Sequence, residues 1–495
     1  MFSRNGAGTK DAMTILCENA RVLTLEKQRP LLENQQILID QGAIVAVGKR
    51  VRTDGLAITQ RIDCSGKFVL PGLVNTHSHL TEILQRSFRD NLRMETWRGY
   101  RARTEERANP TAEDINAAAM LACAEMLKNG VTAVVDHFST RPGLSEPKMM
   151  AIVKAFEKTG IRGMLAPSLL DRDFVEIVAA TTADKPEKNK PKTPWQEQIL
   201  PILTYLKKSS GTSLLMLGPS SPFSCSDNLI REVVALAEQH DLGTHTHLLE
   251  TKLQRWGSRK LYPEGLGKRM QKLGFFSQRL SAAHCVWVNE REMDLMATAG
   301  VSAAHNPASN LKLGSGIAPV VEMKKHGINV SLGTDGGDTS DSYTIFEQIR
   351  LAALLSRVNT ADSNDWITAL DALRMGTVNG AQAIPAWRGK IGKIQKGYRA
   401  DLVILRPNLR LSPAADLINQ LVFCESGNSV DTVMVDGRIV VKGGRLISVR
   451  EEEVMRKVQP ISKKMHRHYQ AIVKQEPPRG ESTVQELYRR IFNAS

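Results

Sequence analysis

Two histidines at i and i+2, His77 and His79, follow the apolar run Phe68-Val69-Leu70-Pro71-Gly72-Leu73-Val74. Side chains on a strand alternate faces, so both imidazoles point to one side. Where such a strand ends at a cavity, the pair can share one metal ion. A bare His-x-His recurs by chance, so its weight depends on its company. Thr244-His245-Thr246-His247-Leu248-Leu249-Glu250 carries a second pair, with a carboxylate shortly beyond it. Val134-Val135-Asp136-His137, Ala282-Ala283-His284-Cys285, Ala303-Ala304-His305-Asn306-Pro307 and Ser331-Leu332-Gly333-Thr334-Asp335-Gly336 complete the series. Imidazoles and carboxylates bind borderline divalent ions, and both also move protons.

Each of these clusters has a plainer reading when taken alone. His284 or His137 reads as a hydrogen-bonded structural residue, and Asp335 before Gly336-Gly337 as a turn cap. His326, His466 and His468 stand in polar helical contexts and receive no role. Yet the chain has only 11 histidines. Seven of them, His77, His79, His137, His245, His247, His284 and His305, fall at or beside the ends of strand-like runs. Joint coincidence is improbable, and the clusters are read together.

The elements that must position them alternate. Strand-like runs at 131–136, 162–166, 213–217, 244–248, 280–285, 300–305 and 329–334 are interleaved with helical stretches at 148–159, 228–240, 290–298 and 319–326. Repeated strand–helix units imply a parallel sheet, and about eight of them a closed (β/α)8 TIM-like barrel. Each polar cluster then lies at the C-terminal end of a barrel strand, where such enzymes keep their chemistry. Residues 14–67 and 401–441 are instead short and β-like, with turns at Gln41-Gly42 and Gly437. The expected α/β architecture is therefore a barrel over 68–395 interrupting a small β-sandwich built from 1–67 and 396–450. A helical extension occupies 451–495, with helical character at 451–457 and 484–491, and reads as a surface or oligomer-contact element. Residues 183–194 form a Lys/Pro-rich loop.

Composition narrows the class. At 495 residues, one large domain plus a satellite is the natural prior. The 42% hydrophobic and 24% charged contents are those of a soluble globular protein. No run of about 18 apolar residues suggests a membrane span, and the N-terminus lacks a signal-peptide core. Six scattered cysteines without a C-x-x-C pair favour reduced thiols. A cytoplasmic protein is expected. The formal charge of +14 is dispersed, and aromatic residues make up 5% of the chain, so a solvated basic surface is favoured over a nucleic-acid site.

Pro71-Gly72-Leu73-Val74-Asn75-Thr76-His77-Ser78-His79 resembles the opening signature of the amidohydrolase superfamily. His247-Leu248-Leu249-Glu250, Ala283-His284-Cys285, the stretch from His305 to Pro319, and Gly333-Thr334-Asp335-Gly336 are similar to its later motifs, in order and approximate spacing. The likeness runs from about residue 14 to 449 and is strongest to the aminohydrolase and chlorohydrolase branch. That branch holds deaminases of adenosine derivatives, guanine and oxidised guanine, and s-triazine hydrolases. The resemblance implies a barrel with a β-sandwich and one divalent ion on His77, His79, His247 and Asp335. Zinc suits these ligands, with iron the alternative. Some superfamily members hold two metals through a carboxylated lysine, but residues 214–222 contain no lysine, so a single ion is expected.

The resemblance also implies hydrolytic displacement at a C=N carbon. The ion lowers the pKa of a water from about 16 toward about 7. Asp335 ligates and accepts the water's proton, Glu250 protonates a ring nitrogen, and His284 holds the attacking oxygen. Deamination of an amino-substituted nitrogen heterocycle is the leading expectation. The same site also suits a chloro- or alkylamino-heterocycle or a cyclic amide, and an inactive structural relative is the remaining class.

For the substrate, Trp97 stands at a spacing similar to the family's Trp-bearing specificity loop. It is read either as a platform for a flat ring or as a packing residue. Glu105 and Glu106 stand near where nucleoside-using relatives place a carboxylate. Ser220 stands where adenosine-type deaminases usually carry a histidine, which favours a free base, pterin-like or triazine-like ring. His305 is expected to shape the barrel mouth. The partners expected are a small heterocycle and further copies of the chain, without nucleic acid or membrane.

Overall fold

A computed structural model describes residues 13–140, 143–172, 194–209, 211–475 and 481–493. The loop at 183–194 lies outside the described residues except for Pro194. Among the described residues, the two chain ends share one nine-stranded sheet. Phe68–Pro71 joins the halves, pairing parallel to Thr14–Leu23 and antiparallel to Leu402–Leu405. Two hairpins cap it, Leu31–Asp40 with Ala43–Gly48 and Val430–Val435 with Arg438–Lys442. Both turn through left-handed residues, Gln41-Gly42 (φ 47° and 77°) and Asp436-Gly437 (φ 53° and 76°), the geometry that suits a two-residue hairpin. The two turns pack together so closely that a Cβ on Gly437 would lie 2.5 Å from Gly42 Cα.

Two larger parallel sheets, with a two-stranded parallel pair of Ser168–Leu169 and Gly218–Pro219, form the middle of the described chain. In one, Leu73–His79 lies between Val131–Asp136 and Asp335–Gly336, and the sheet continues through Arg162–Leu165 to Leu214–Leu215. In the other, Thr244–Leu248, Leu280–His284, Ser302–His305 and Val330–Leu332 follow in order. The described chain is therefore α/β with parallel sheets. Alternation sets the inner packing. Ala133 and Val135 join Val74, Met164, Met216, Ala381 and Trp387 in one cluster, whereas Val134 faces the outer one. Arg162 bridges the parallel sheet to the terminal sheet, donating to Asp401 at 2.8 and 2.9 Å and to Asp436 at 3.1 Å.

Helices Met94–Ala108 and Ala112–Lys128 follow the first histidine strand. Trp97 therefore stands in the first turn of a helix and not on a loop. At the C-terminus, Glu451–Gln475 and Glu481–Asn493 are helices. The first packs on Met94–Ala108 and Ala112–Lys128, the second on Met94–Ala108 and Lys252–Leu261. No described helix is long and apolar enough to cross a membrane.

Candidate metal centre

The strand Leu73–His79 is buried throughout, and its final residues meet the turn that carries Asp335. Asn75 holds that turn: its side chain donates to Thr334 Oγ1 at 2.8 Å and accepts the Thr334 N–H at 3.1 Å. Gly336 lets Glu82 approach closely: a Cβ there would lie 1.7 Å from Glu82 Oε2 and force that carboxylate to shift. Asp335 itself adopts φ 63°, and the other strand-end residues Leu249, His284 and Cys285 take 45°, 71° and 50°. Left-handed non-glycine residues cost about 1–3 kcal/mol each and cluster at functional sites.

Three imidazoles are anchored at Nδ1. His79 donates to the His137 carbonyl at 2.6 Å and His247 to the Ser220 carbonyl at 2.6 Å. His77 Nδ1 lies 2.7 Å from His245 Nε2. The carbonyl acceptors fix Nδ1 as protonated in His79 and His247, and where His77 Nδ1 donates to His245 all three Nε2 atoms are left as electron-pair donors that face one another. His79 Nε2 is 3.2 Å from His247 Nε2 and 3.4 Å from Asp335 Oδ1, and His77 Nε2 is 3.3 Å from the same oxygen. His77 Nε2 is buried without a hydrogen-bond partner. Metal-ligating histidines are oriented in this way by an acceptor on the opposite nitrogen.

Two groups of the described residues have donor atoms within 4.8 Å of one another and could hold an ion: His77, His79, His137 and His247, and His77, His284 and Asp335. The sets share His77, and all members are buried except the half-buried His247. His137 joins this company although the sequence offered no role for it. Its Nε2 is used in donating to the Gly218 carbonyl at 3.1 Å, and its ring stacks on His247 at 4.6 Å.

The electrostatics favour neutral imidazoles beside an ionised carboxylate. Burial lowers the pKa of His77, His79, His245 and His247 and takes His137 down to about 3. Burial raises the Asp335 carboxyl, but the 3.3 Å approach of His77 and the neighbouring His284 and His79 overcome it and hold it well below the usual range. That is the protonation a divalent ion requires of its ligands. Burial, reinforced by Asp335 and Glu95 and opposed by His284, pushes Glu250 up to about 7.

The remaining reactive groups face this cluster. His284 Nε2 is 3.9 Å from Glu250 Oε2 and 4.0 Å from Asp335 Oδ2. The helix Pro307–Lys312 orients both partners: Ser309 donates to Asp335 Oδ2 at 2.6 Å, and Asn310 accepts from His284 Nδ1 at 2.9 Å. Sequence reasoning missed Ser309, which the His305-Asn306-Pro307-Ala308-Ser309-Asn310 motif contains, and it missed His245 behind His77. Ser315 donates to Glu250 Oε1 at 3.4 Å.

The substrate candidates diverge. Trp97 is buried and donates to Asp338 Oδ2 at 2.9 Å, with the Arg101 guanidinium 5.6 Å from its ring. Glu106 is exposed and is not brought to the site, since a helix turns consecutive residues by about 100°. The carboxylate turned inward is Glu105, which pairs with Arg101 at 3.1 Å, as Glu82 does at 3.2 Å. Ser220 enters as the backbone anchor of His247. His305 is buried, and with His284 nearby burial takes it down to about 3; it borders a small gap with Ile317, Ala318 and Val320.

The chain is similar to known proteins over most of its length. The amidohydrolase family model matches residues 68–440. A 5-methylthioadenosine/S-adenosylhomocysteine deaminase of Thermoanaerobacter pseudethanolicus is 32% identical over 456 residues, covering 92% of this chain and 99% of the relative. An adenosine deaminase of Xanthomonas campestris with bound zinc superposes at a TM-score of 0.81 with 25% identity, covering 92% and 98% of the two chains. An atrazine chlorohydrolase of Arthrobacter aurescens complexed with zinc gives a TM-score of 0.81 with 26% identity, covering 90% and 100%. The chain belongs to the amidohydrolase family, whose members are metal-dependent hydrolases. It is a hydrolase of carbon–nitrogen bonds other than peptide bonds.

Proposed function

We propose that the chain deaminates an amino-substituted nitrogen heterocycle with one divalent ion, zinc, held by His77, His79, His247 and Asp335. The observation that carries this reading is the set of three Nδ1-anchored imidazoles turned toward one carboxylate oxygen. A cluster built only for stability has no use for a buried His77 Nε2 without a partner. When bound, the ion supplies Lewis acidity that brings a water's pKa toward about 7.

The residues divide the rest of the work. Glu250, pushed up to about 7, is partly protonated at neutral pH, and that form gives its proton to a ring nitrogen, which makes the C=N carbon electrophilic. Asp335 Oδ2 takes the proton of the attacking water, with Ser309 holding that oxygen in place. His284 Nε2 stands between the two carboxylates and holds the attacking oxygen as the tetrahedral carbon forms. Asp335 then returns its proton to the amine, the C–N bond breaks and ammonia leaves, and as the C=O forms the hydroxyl proton passes to Glu250, which restores it.

The two parallel sheets are read as one closed eight-stranded barrel. The bridge Leu217↔Thr244 and the His247 N–H bond to the Ser220 carbonyl at 3.1 Å support one seam, and Asp335–Gly336 on Ser78–His79 the other. The terminal sheet is read as a folded sandwich around Ile15, Ile37, Ile39, Leu402 and Ile404. Six free cysteines, five of them buried, fit a reducing cytoplasm.

The adenine-ring relative makes an aminopurine nucleoside the first substrate to try. Ser220 favours a second reading, a ring without ribose. Metal-replete enzyme offered aminopurine nucleosides, aminopurines, aminopterins and aminotriazines should release ammonia from at least one class. Release of chloride or alkylamine without ammonia would reassign the leaving group.

A further inference from the structure

The C-terminal extension reaches toward the reacting groups along two routes. Helix Glu481–Asn493 buries Val484, Leu487 and Tyr488 against Leu253, with Trp256 packed alongside. Leu253 and Trp256 belong to Lys252–Leu261, the helix that begins just after Glu250. The buried Tyr488 hydroxyl donates to Glu95 at 3.1 and 3.2 Å, and the Arg93 guanidinium lies 4.4 Å from its ring. Glu95 also receives the Thr251 hydroxyl at 2.6 Å. Thr251 is the N-cap of Lys252–Leu261, accepting the Gln254 N–H at 3.2 Å, and Gln254 in turn accepts the Glu250 N–H at 2.7 Å. One carboxylate thus ties the last helix to the turn that presents Glu250.

The second route starts on Glu451–Gln475. The Tyr469 ring lies 4.7 Å from the Arg89 guanidinium, and Arg89 hydrogen-bonds Asp338 in the turn that follows Asp335. Ser462 donates to the Leu84 carbonyl at 2.8 Å and Lys464 to that of Ala108 at 2.9 Å. A tail serving only as outer surface has no need to send a buried hydroxyl to a buried carboxylate.

We propose that the C-terminal helices are positioning elements of the active site, and that Tyr488 holds Glu250 in its reactive place through Glu95 and Thr251. This inference rests on the role given to Glu250 above. Removing one hydroxyl loosens a turn that must be held to well under an ångström, and a 1 Å misplacement can lower turnover by about a hundredfold.

The test is a double-substitution cycle on the full chain, Tyr488→Phe, Glu95→Gln and both together, with metal content measured throughout. The expected result is a roughly tenfold to hundredfold fall in kcat for Tyr488→Phe, with KM and metal content close to wild type. The double variant should be little worse than Glu95→Gln, because both act through one contact. Amide exchange should quicken in 250–261 of Tyr488→Phe relative to wild type, while 280–284 stays protected. Additive losses, or exchange and kcat both at wild-type values, would overturn the proposal. If wild type deaminates nothing, the deamination reading fails on its own, and exchange in 250–261 still decides whether Tyr488 holds this turn.

Discussion

His77, His79 and His247 are each committed at Nδ1, so their Nε2 lone pairs are aimed before a ligand arrives. Chemistry that depends on pointing needs this, because reorganisation during the reaction is costly. Glu250 and Asp335 share one buried space, but their surroundings push them apart, one up to about 7 and the other well below the usual carboxylate range. That split assigns donor and acceptor. Glu250→Gln should retain the metal and lose roughly a hundredfold to ten-thousandfold in kcat, a loss of general acid catalysis that metal analysis separates from a loss of ligand. The proton must be on Glu250 for it to act, so kcat/KM should rise on the acid side as the water ionises and decline as pH climbs above about 7, a bell whose descending limb is absent from the residual activity of Glu250→Gln. A descending limb unchanged in Glu250→Gln would assign it to another group. Asn310→Ala removes the acceptor that fixes the His284 tautomer. We expect about a tenfold loss in kcat with metal content unchanged, as in other cases where a partner orients a catalytic group.

At the scale of elements, strands were legible and polar helices were not. Runs such as Val131–Asp136 and Leu280–His284 announce themselves because burial on both faces leaves mostly apolar and small residues before the functional tip. Met94–Ala108 escaped notice for the opposite reason. Its inward face carries Glu95, Arg101, Thr104 and Glu105 beside Trp97 and Tyr100, so apolar periodicity is missing where burial is greatest. The same blindness hid Ser309, whose contact with Asp335 follows from the helix Pro307–Lys312 and not from its spacing. Capping carries a prediction of its own. Thr251→Ala removes the N-cap of Lys252–Leu261 and should lower stability by about 1 kcal/mol in urea unfolding. The Arg162 bridge to Asp401 is buried and bidentate. Arg162→Ala strands the buried Asp401 carboxylate, while Asp436 keeps Arg399, and should cost about 3–5 kcal/mol in the same measurement.

At the scale of the whole molecule, the strand–helix rhythm predicted parallel sheets, and the polar strand tips predicted which ends would meet. The part that could not be read from sequence lies in long-range geometry. His137 within reach of His77, and Tyr488 bonded to Glu95, join residues whose proximity depends on the complete fold. The amidohydrolase resemblance supplied a ligand set, and the structure brings those side chains to one place, while Glu106 points away. A group that binds only the folded chain stabilises it by mass action, about 4 kcal/mol at a thousandfold excess over Kd. Chelation should therefore lower the melting temperature of the wild type, and zinc should restore it.

The most direct test of the metal-dependent deaminase is ammonia release by one wild-type preparation, assayed after chelation and again after stoichiometric zinc, across the heterocycle panel. The chelated protein should release no ammonia, and turnover of an amino-heterocycle should appear once zinc is returned. Ammonia production that chelation leaves intact, or a zinc-loaded enzyme that frees only chloride or alkylamine, would contradict it.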